Sequence, residues 1–194
     1  MTEDERSTVF ERLTDLKSES PTLIEGLPGL GLVAAITVEQ VTKQLNLDHY
    51  GNLYSDDFPP VASFENGRVR DTVRVYAGAD PDVMTLQSDI AIPPQSFKSL
   101  SECVLGDLSS EFGRAIFLAG STAENEGQIG NIFGVATTEE VRSDLVEAGV
   151  PIAEGTGLLS GVTGALVNEC YHEGVPAAVL IVKANPYLPD PSAA

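Results

Sequence analysis

The stretch "LIEGLPGLGLVAA", Leu23 to Ala35, decides how the rest of the chain is read. An apolar run enters a glycine-rich turn and leaves it as a second, helix-like apolar run, so the segment reads as strand, tight turn and helix. Gly29, Gly31 and Ala34 also fall at the G-x-G-x-x-A spacing of a dinucleotide fingerprint. A nucleotide cradle and a plain strand-to-helix turn are therefore both open at this point, and the flanking sequence separates them.

Working outward, the helix is expected over residues 32–45, with Val33, Ile36, Val41 and Leu45 on its apolar face and Glu39, Gln40 and Lys43 on its wet face. Upstream, residues 8–13 read as an opening strand and residues 22–27 as the strand entering the turn. Downstream, residues 49–54, 61–64 and 69–76 are successive strand-like runs, and Asn66-Gly67 suits a tight hairpin turn between the last two. A dinucleotide-binding half alternates strand and helix and ends its second strand with an acid; here no helix intervenes, and Asp48 precedes its apolar run. The fingerprint fails in context. Gly26, Gly29 and Gly31 are instead expected to supply positive φ or close backbone approach, stiffened by Pro28, with the free N–H groups of the helix start as a candidate anion site.

The second half alternates more regularly. Strands are expected at 83–87, 115–119, 132–136 and 176–183, with helices over 95–112, 139–148 and 158–171 and a short extended piece at 151–153. Thr137 stands three residues before Glu140, a capping-box spacing, and Gly149 ends that helix. One α/β domain over residues 1–194 follows, a three-layer α/β/α sandwich whose mixed sheet is covered by helices on both faces.

A second glycine cluster, "EGTGLLSGVTGALVNEC", enters the last helix, where Ser160, Gly161 and Thr163 form a second candidate anion or ligand turn and close helix-to-sheet packing is the plainer use. Glu25, Asp57 and Asp89 are candidate cleft acids because they stand at expected strand ends or turns. No G-x-S-x-G, H-E-x-x-H or G-x-x-x-x-G-K-[ST] occurs, so no catalytic residue and no cofactor is named. Cys103 and Cys170 lie far apart with neither zinc nor C-x-x-C spacing; core positions are expected for both, and no metal site. His49 opens a strand and His172 ends a helix.

The 194 residues carry 29 Asp and Glu against 11 Lys and Arg, a formal charge of -18, while 42% are hydrophobic. A folded chain with an acidic surface is expected, since no block of five or six like charges forms a tail. Scarce lysine and distributed acid resemble proteins that work in a high-salt cytosol, where screening relieves self-repulsion. Nucleic acid is an unsuitable partner for such a surface. The acidic start, without a signal-like or membrane-length apolar run, is read as cytoplasmic.

Taken together, "LIEGLPGLGLVAA", "SDDFPPVASFENGRVRDTVRVYAG", "SDIAIPP", "FGVATTEEV" and "GLLSGVTGALVNECYHEGVPAAVLIVKANPYLPDP" resemble, in order, the archaeal members of the proteasome assembly chaperone 2 family. The resemblance implies a three-layer fold related to the phosphorylase/hydrolase-like folds, a homo-oligomer, and a non-catalytic, chaperone-like role toward proteasome α subunits. Relatives have also carried an ATP-grasp label, which the absence here of a phosphate-binding lysine pattern does not support. A small-molecule or nucleotide-binding enzyme using the two glycine turns is the alternative. In "YLPDPSAA", Asp190 and Pro191 write a helix start. Family members continue into further helix and can end in a hydrophobic-Tyr-any-residue tail, whereas this sequence closes on Ser192-Ala193-Ala194. A missing C-terminal helical segment is therefore expected, with Asp190–Ala194 poorly ordered or held by neighbours and an apolar groove left beside the strand at 176–183.

Overall fold

Leu23 and Glu25 point to one side of their strand and Ile24 and Gly26 to the other, and that alternation fixes which helix covers which face. The computed structural model describes residues 7–185, 187–191 and 193–194. In chain order its elements are β1 (Thr8–Arg12), β2 (Thr22–Gly26), α1 (Val33–Gln44), β3 (Asp48–Ser55), β4 (Ser63–Glu65), β5 (Arg68–Arg70), β6 (Val73–Ala79), β7 (Asp82–Ser88), α2 (Phe97–Cys103), β8 (Arg114–Thr122), β9 (Ile132–Ala136), α3 (Glu139–Glu147), α4 (Gly161–Glu173) and β10 (Ala177–Ala184).

Eight strands form one mixed sheet in the order β1-β3-β6-β7-β2-β8-β10-β9. The centre, β7-β2-β8-β10, is parallel, and the flanking pairs are antiparallel. On one face α1 sets Ala34 and Val38 against Ile24, Ile116, Leu118 and Leu180, and α3 sets Val141 and Leu145 against Ala178 and Leu180. On the other, Leu100 and Cys103 of α2 and Leu166 and Cys170 of α4 join Leu23, Met84, Phe117 and Val179 in the main core. The three layers and the mixed sheet are those expected, and both cysteines are core residues.

Several boundaries move for local reasons. Residues 69–76 do not form one strand: β4 and β5 make a separate two-stranded ribbon, and the main sheet resumes at β6. Its turn has positive φ at both Asn66 and Gly67, as the Asn-Gly pair requires. Val61 lies outside β4, its N–H closing a turn on the Pro59 carbonyl at 2.8 Å. The helix expected over 95–112 is α-helical only through Cys103 and continues as a wide π turn, Val104–Leu108. The cap of α3 is Thr138, whose hydroxyl accepts from Val141 N–H at 3.2 Å; Thr137 instead accepts from the Ala177 N–H at 2.8 Å, tying α3 to the start of β10. Finally, α4 starts at Gly161, three residues later than expected, where φ of 72° breaks the approach.

Candidate functional site

In an open α/β sheet the crevice beyond the carboxyl ends of the parallel strands is the place to look for a ligand. Here that end collects the first glycine turn, the entrance of α4 and the segment after β10. Glu25, at the end of β2, is completely buried. Its Oε1 accepts from the Leu27 N–H at 2.9 Å, and Thr163 of α4 donates to it with its Oγ1 3.4 Å from Oε1 and 3.3 Å from Oε2. Burial pushes its carboxyl up to about 8, against the pull of those hydrogen bonds and of the Leu118 backbone. The carboxyl is therefore mostly neutral at pH 7. Two separately chosen candidates, Glu25 and Thr163, thus meet, and the oxygen atoms at the α4 entrance belong to the chain itself. Ser160 caps α4 by backbone conformation without a side-chain hydrogen bond.

The glycine turn is filled in the same way. A Cβ on Gly26 would stand 2.4 Å from Val38 Cβ, so this glycine lets α1 lie against β2. Gly31 has φ of 68° and faces Ala184, and its carbonyl accepts from the Asp190 N–H at 2.9 Å. Gly29 departs from the expectation: its φ is −140°, and a Cβ there would find nothing within 4 Å, so neither positive φ nor close packing demands glycine. The close approach that sequence reading missed is at Gly120 of β8, where a Cβ would meet the Leu30 carbonyl oxygen at 2.2 Å.

At the C-terminus the cap expected at Asp190 is present, but its surroundings differ from those expected. Asp190 is buried; its Oδ1 accepts from Ala193 N–H at 3.2 Å and its Oδ2 from Asn185 N–H at 2.8 Å, a helix-cap arrangement seated on the domain itself. The Ala194 carbonyl accepts from Thr37 of α1 at 3.2 Å. Ser192 lies outside the described residues. Beside β10, where an apolar groove was expected, Val179 packs in the core with α4, Leu180 is shared by α1 and α3, and Val182 and Ala184 pack with Val33 and Ala193.

Asp89 and Gly26 do share a cleft, of about 410 Å³, between α1 and the β4–β5 ribbon. Its centre is Arg74, only 2% exposed, which donates to both carboxylate oxygens of Asp89 at 2.7 and 2.9 Å and to the Tyr76 hydroxyl at 3.1 Å. Burial pushes the Asp89 carboxyl up, but hydrogen bonds from Arg74 and Ser63 outweigh it and leave it below its ordinary value. Arg70 pairs with Glu65 at 2.8 Å and Lys43 with Glu39, so the cations of the cleft are matched by its acids. Asp57 joins neither group: it is exposed, and its N–H donates to Ser55 Oγ at 3.3 Å. His49 stacks on Tyr76 with ring centroids 5.1 Å apart, and His172 ends α4 beside Tyr171. Among the described residues no cluster of three or more His, Cys, Asp or Glu is placed to hold a metal ion, and no helix is long and apolar enough to cross a membrane.

The profile of the PAC2 family matches residues 23–194, from the start of the glycine segment onward. The chain belongs to the PAC2 family. An uncharacterised protein of Methanocaldococcus jannaschii is 31% identical over 185 residues, covering 95% of this chain and 75% of that protein. The crystal structure of Pyrococcus furiosus PbaA, an archaeal homolog of proteasome-assembly chaperone, superimposes with a TM-score of 0.84 at 26% identity, over 95% of this chain and 80% of PbaA. Pyrococcus furiosus PbaB, an archaeal proteasome activator, shares the fold with a TM-score of 0.85 at 19% identity, over 97% of this chain and 84% of PbaB.

Proposed function

We propose that this PAC2 protein is a cytoplasmic, non-catalytic assembly chaperone that binds proteasome α subunits as a homo-oligomer. The observation that carries the reading is the joint sequence and fold likeness to PbaA over nearly the whole chain. The site geometry supports it. In the first glycine turn Gly31 faces Ala184 and its carbonyl holds Asp190 of the chain itself, and the acid that precedes this turn, Glu25, is sealed under Thr163. Outward, Leu158 is 98% exposed and Tyr187 90%, large apolar groups of the kind that binding surfaces present.

Co-purification with recombinant proteasome α subunits in molar potassium chloride tests the reading. Retention of α subunits is expected. Absence of retention, together with a rise in melting temperature on adding a nucleotide, would replace it with the ligand-binding enzyme, whose place would be the Asp89 cleft.

A further inference from the structure

The β4–β5 ribbon leaves a contact unmade. Its cross-strand pairs put Ser63, Glu65, Arg68 and Arg70 on one side and Phe64 with Val69 on the other. Arg70 ties the polar side to the body through Asp89 and pairs with Glu65 within the ribbon, and the apolar pair is left exposed, Phe64 75% and Val69 78%. Cross-strand apolar pairs at such exposure are uncommon on a free surface. Val69 is also one wall of a groove of about 610 Å³, whose other apolar walls include Val9, Tyr54, Pro59, Pro60 and Val61 and whose edge carries Asp56 and Asp71. Asp57 follows on the same loop. None of these three aspartates pairs with a cation among the described residues, and neither does Arg68, the exposed cation at the ribbon tip.

We propose that the groove receives the ribbon tip, Phe64 to Val69, of a second copy of this chain. The inference rests on the homo-oligomer of the proposed function and names its contact. Charge chooses the occupant. In a chain of formal charge -18, self-association is favoured where a cation is carried out to meet an acid, and three of its 11 Lys and Arg residues, Arg68, Arg70 and Arg74, fall within one seven-residue stretch. Arg70 and Arg74 are engaged inside the protomer, leaving Arg68 to face the aspartates of the partner. The groove is of a size that takes several side chains, and Phe64 and Val69 supply apolar ones. Because each protomer carries both ribbon and groove, the contact can close on itself about a two-fold axis.

Sedimentation velocity on the full chain tests this, with circular dichroism confirming the fold of each variant. Wild type is expected to associate, and Phe64→Ser with Val69→Ser, both at solvent-exposed positions, to shift it to monomer. Arg68→Asp should weaken association by about tenfold or more, as for a charge pair lost at an interface rim and its neighbours. Mixing the Arg68→Asp chain with an Asp56→Arg, Asp57→Arg chain should restore a mixed oligomer that neither forms alone. A monomeric wild type overturns the proposal. So does an oligomer that both ribbon variants leave intact, although the homo-oligomer itself then stands. So does a groove that binds a synthetic Arg- and Val-containing peptide while wild-type chains stay apart, which would assign it to another protein. Capture of α subunits by wild type and ribbon variants alike would preserve the proteasome reading whichever of these results is found.

Discussion

Replacing Glu25 by glutamine should remove a pH dependence of stability that the wild-type chain carries. The carboxyl has no solvent and is raised from its ordinary 4.5 to about 8, with burial as the largest cause. Below pH 4.5 the group is protonated in both the folded and unfolded chain, and its contribution is fully present. Between about 4.5 and about 8 the unfolded chain releases a proton that the folded chain keeps, so stability falls by about 1.4 kcal/mol per pH unit and the loss is complete above the folded value. The interval from 4.5 to about 8 thus corresponds to about 5 kcal/mol. For a chain of this size that amounts to roughly 10–20 °C in melting temperature. The amide of Glu25→Gln would keep the acceptor for Leu27 N–H and offer a donor to Thr163, while holding no titratable proton. Thermal melts of both proteins across this range, in constant salt, provide the assay. The gap between variant and wild type should widen in the variant's favour as pH rises and level off above about pH 8. A gap that stays flat would show that the Glu25 proton is not held by the fold, and would refute the sealed-carboxyl account.

A Gly120→Ala change should cost about 1–3 kcal/mol, because its Cβ would stand 2.2 Å from the Leu30 carbonyl and only backbone movement relieves that; Gly29→Ala, in open space, should stay within about 0.5 kcal/mol. Equal melting losses in the two variants would contradict this assignment of the turn. Asp89→Asn should destabilise by about 2 kcal/mol, since it leaves the buried Arg74 guanidinium without its carboxylate, and adding Arg74→Met should recover part of the loss. Strictly additive losses would show that the pair is not coupled. Because the Asp89 carboxyl lies below its ordinary value, its contribution is present above pH 3.8 and disappears as pH falls through the lower folded value, a window separate from that of Glu25. Moving the protein from molar to millimolar potassium chloride should lower its melting temperature, as 29 acids against 11 bases lose their screening; an unchanged melt would reject the high-salt reading of the composition.

What local pattern controls was legible. Alternation located the strands, the 3.6-residue period located α1, a cap signal and Gly149 bounded α3, and Asn66-Gly67 specified a hairpin turn. What long-range packing controls was not. Glu25 was recognisable as a strand-end acid, but its partner Thr163 lies 138 residues away and only the adjacency of β2, β8 and α4 brings them together. Arg74 sits between Val73 and Val75 in an ordinary strand run, and its pairing with Asp89 depends on the β6–β7 register. The Thr137 spacing fitted a capping box, yet the neighbouring β10 claimed its hydroxyl and left Thr138 to cap. Gly120 opened what read as a polar loop, because the turn that crosses it, at Leu30, comes from far earlier in the chain.

The fingerprint-like spacing has a packing explanation that also bears on function. A dinucleotide turn uses one glycine to let phosphate approach the backbone and another position to bring helix and strand together. Here Ala34 serves the second need, against Ile24 and Ile116, together with Gly26 against Val38. The first need is met by protein: the Leu30 carbonyl lies over Gly120, and Ala184 stands opposite Gly31, with Asp190 anchored to the Gly31 carbonyl. A phosphate set against Gly31 would displace Ala184 and the segment after it, disturbing the Val33–Val182–Ala184 cluster. A helix N-terminus alone does not offset that disruption, because its attraction for an anion amounts to about 0.3–2 kcal/mol, whereas one fully buried apolar side chain contributes about 1.5–3 kcal/mol. Among the described residues Phe64, Val69, Leu158 and Tyr187 are the most exposed large apolar side chains, so the apolar surface that is left open lies on the outside and not in the glycine turn.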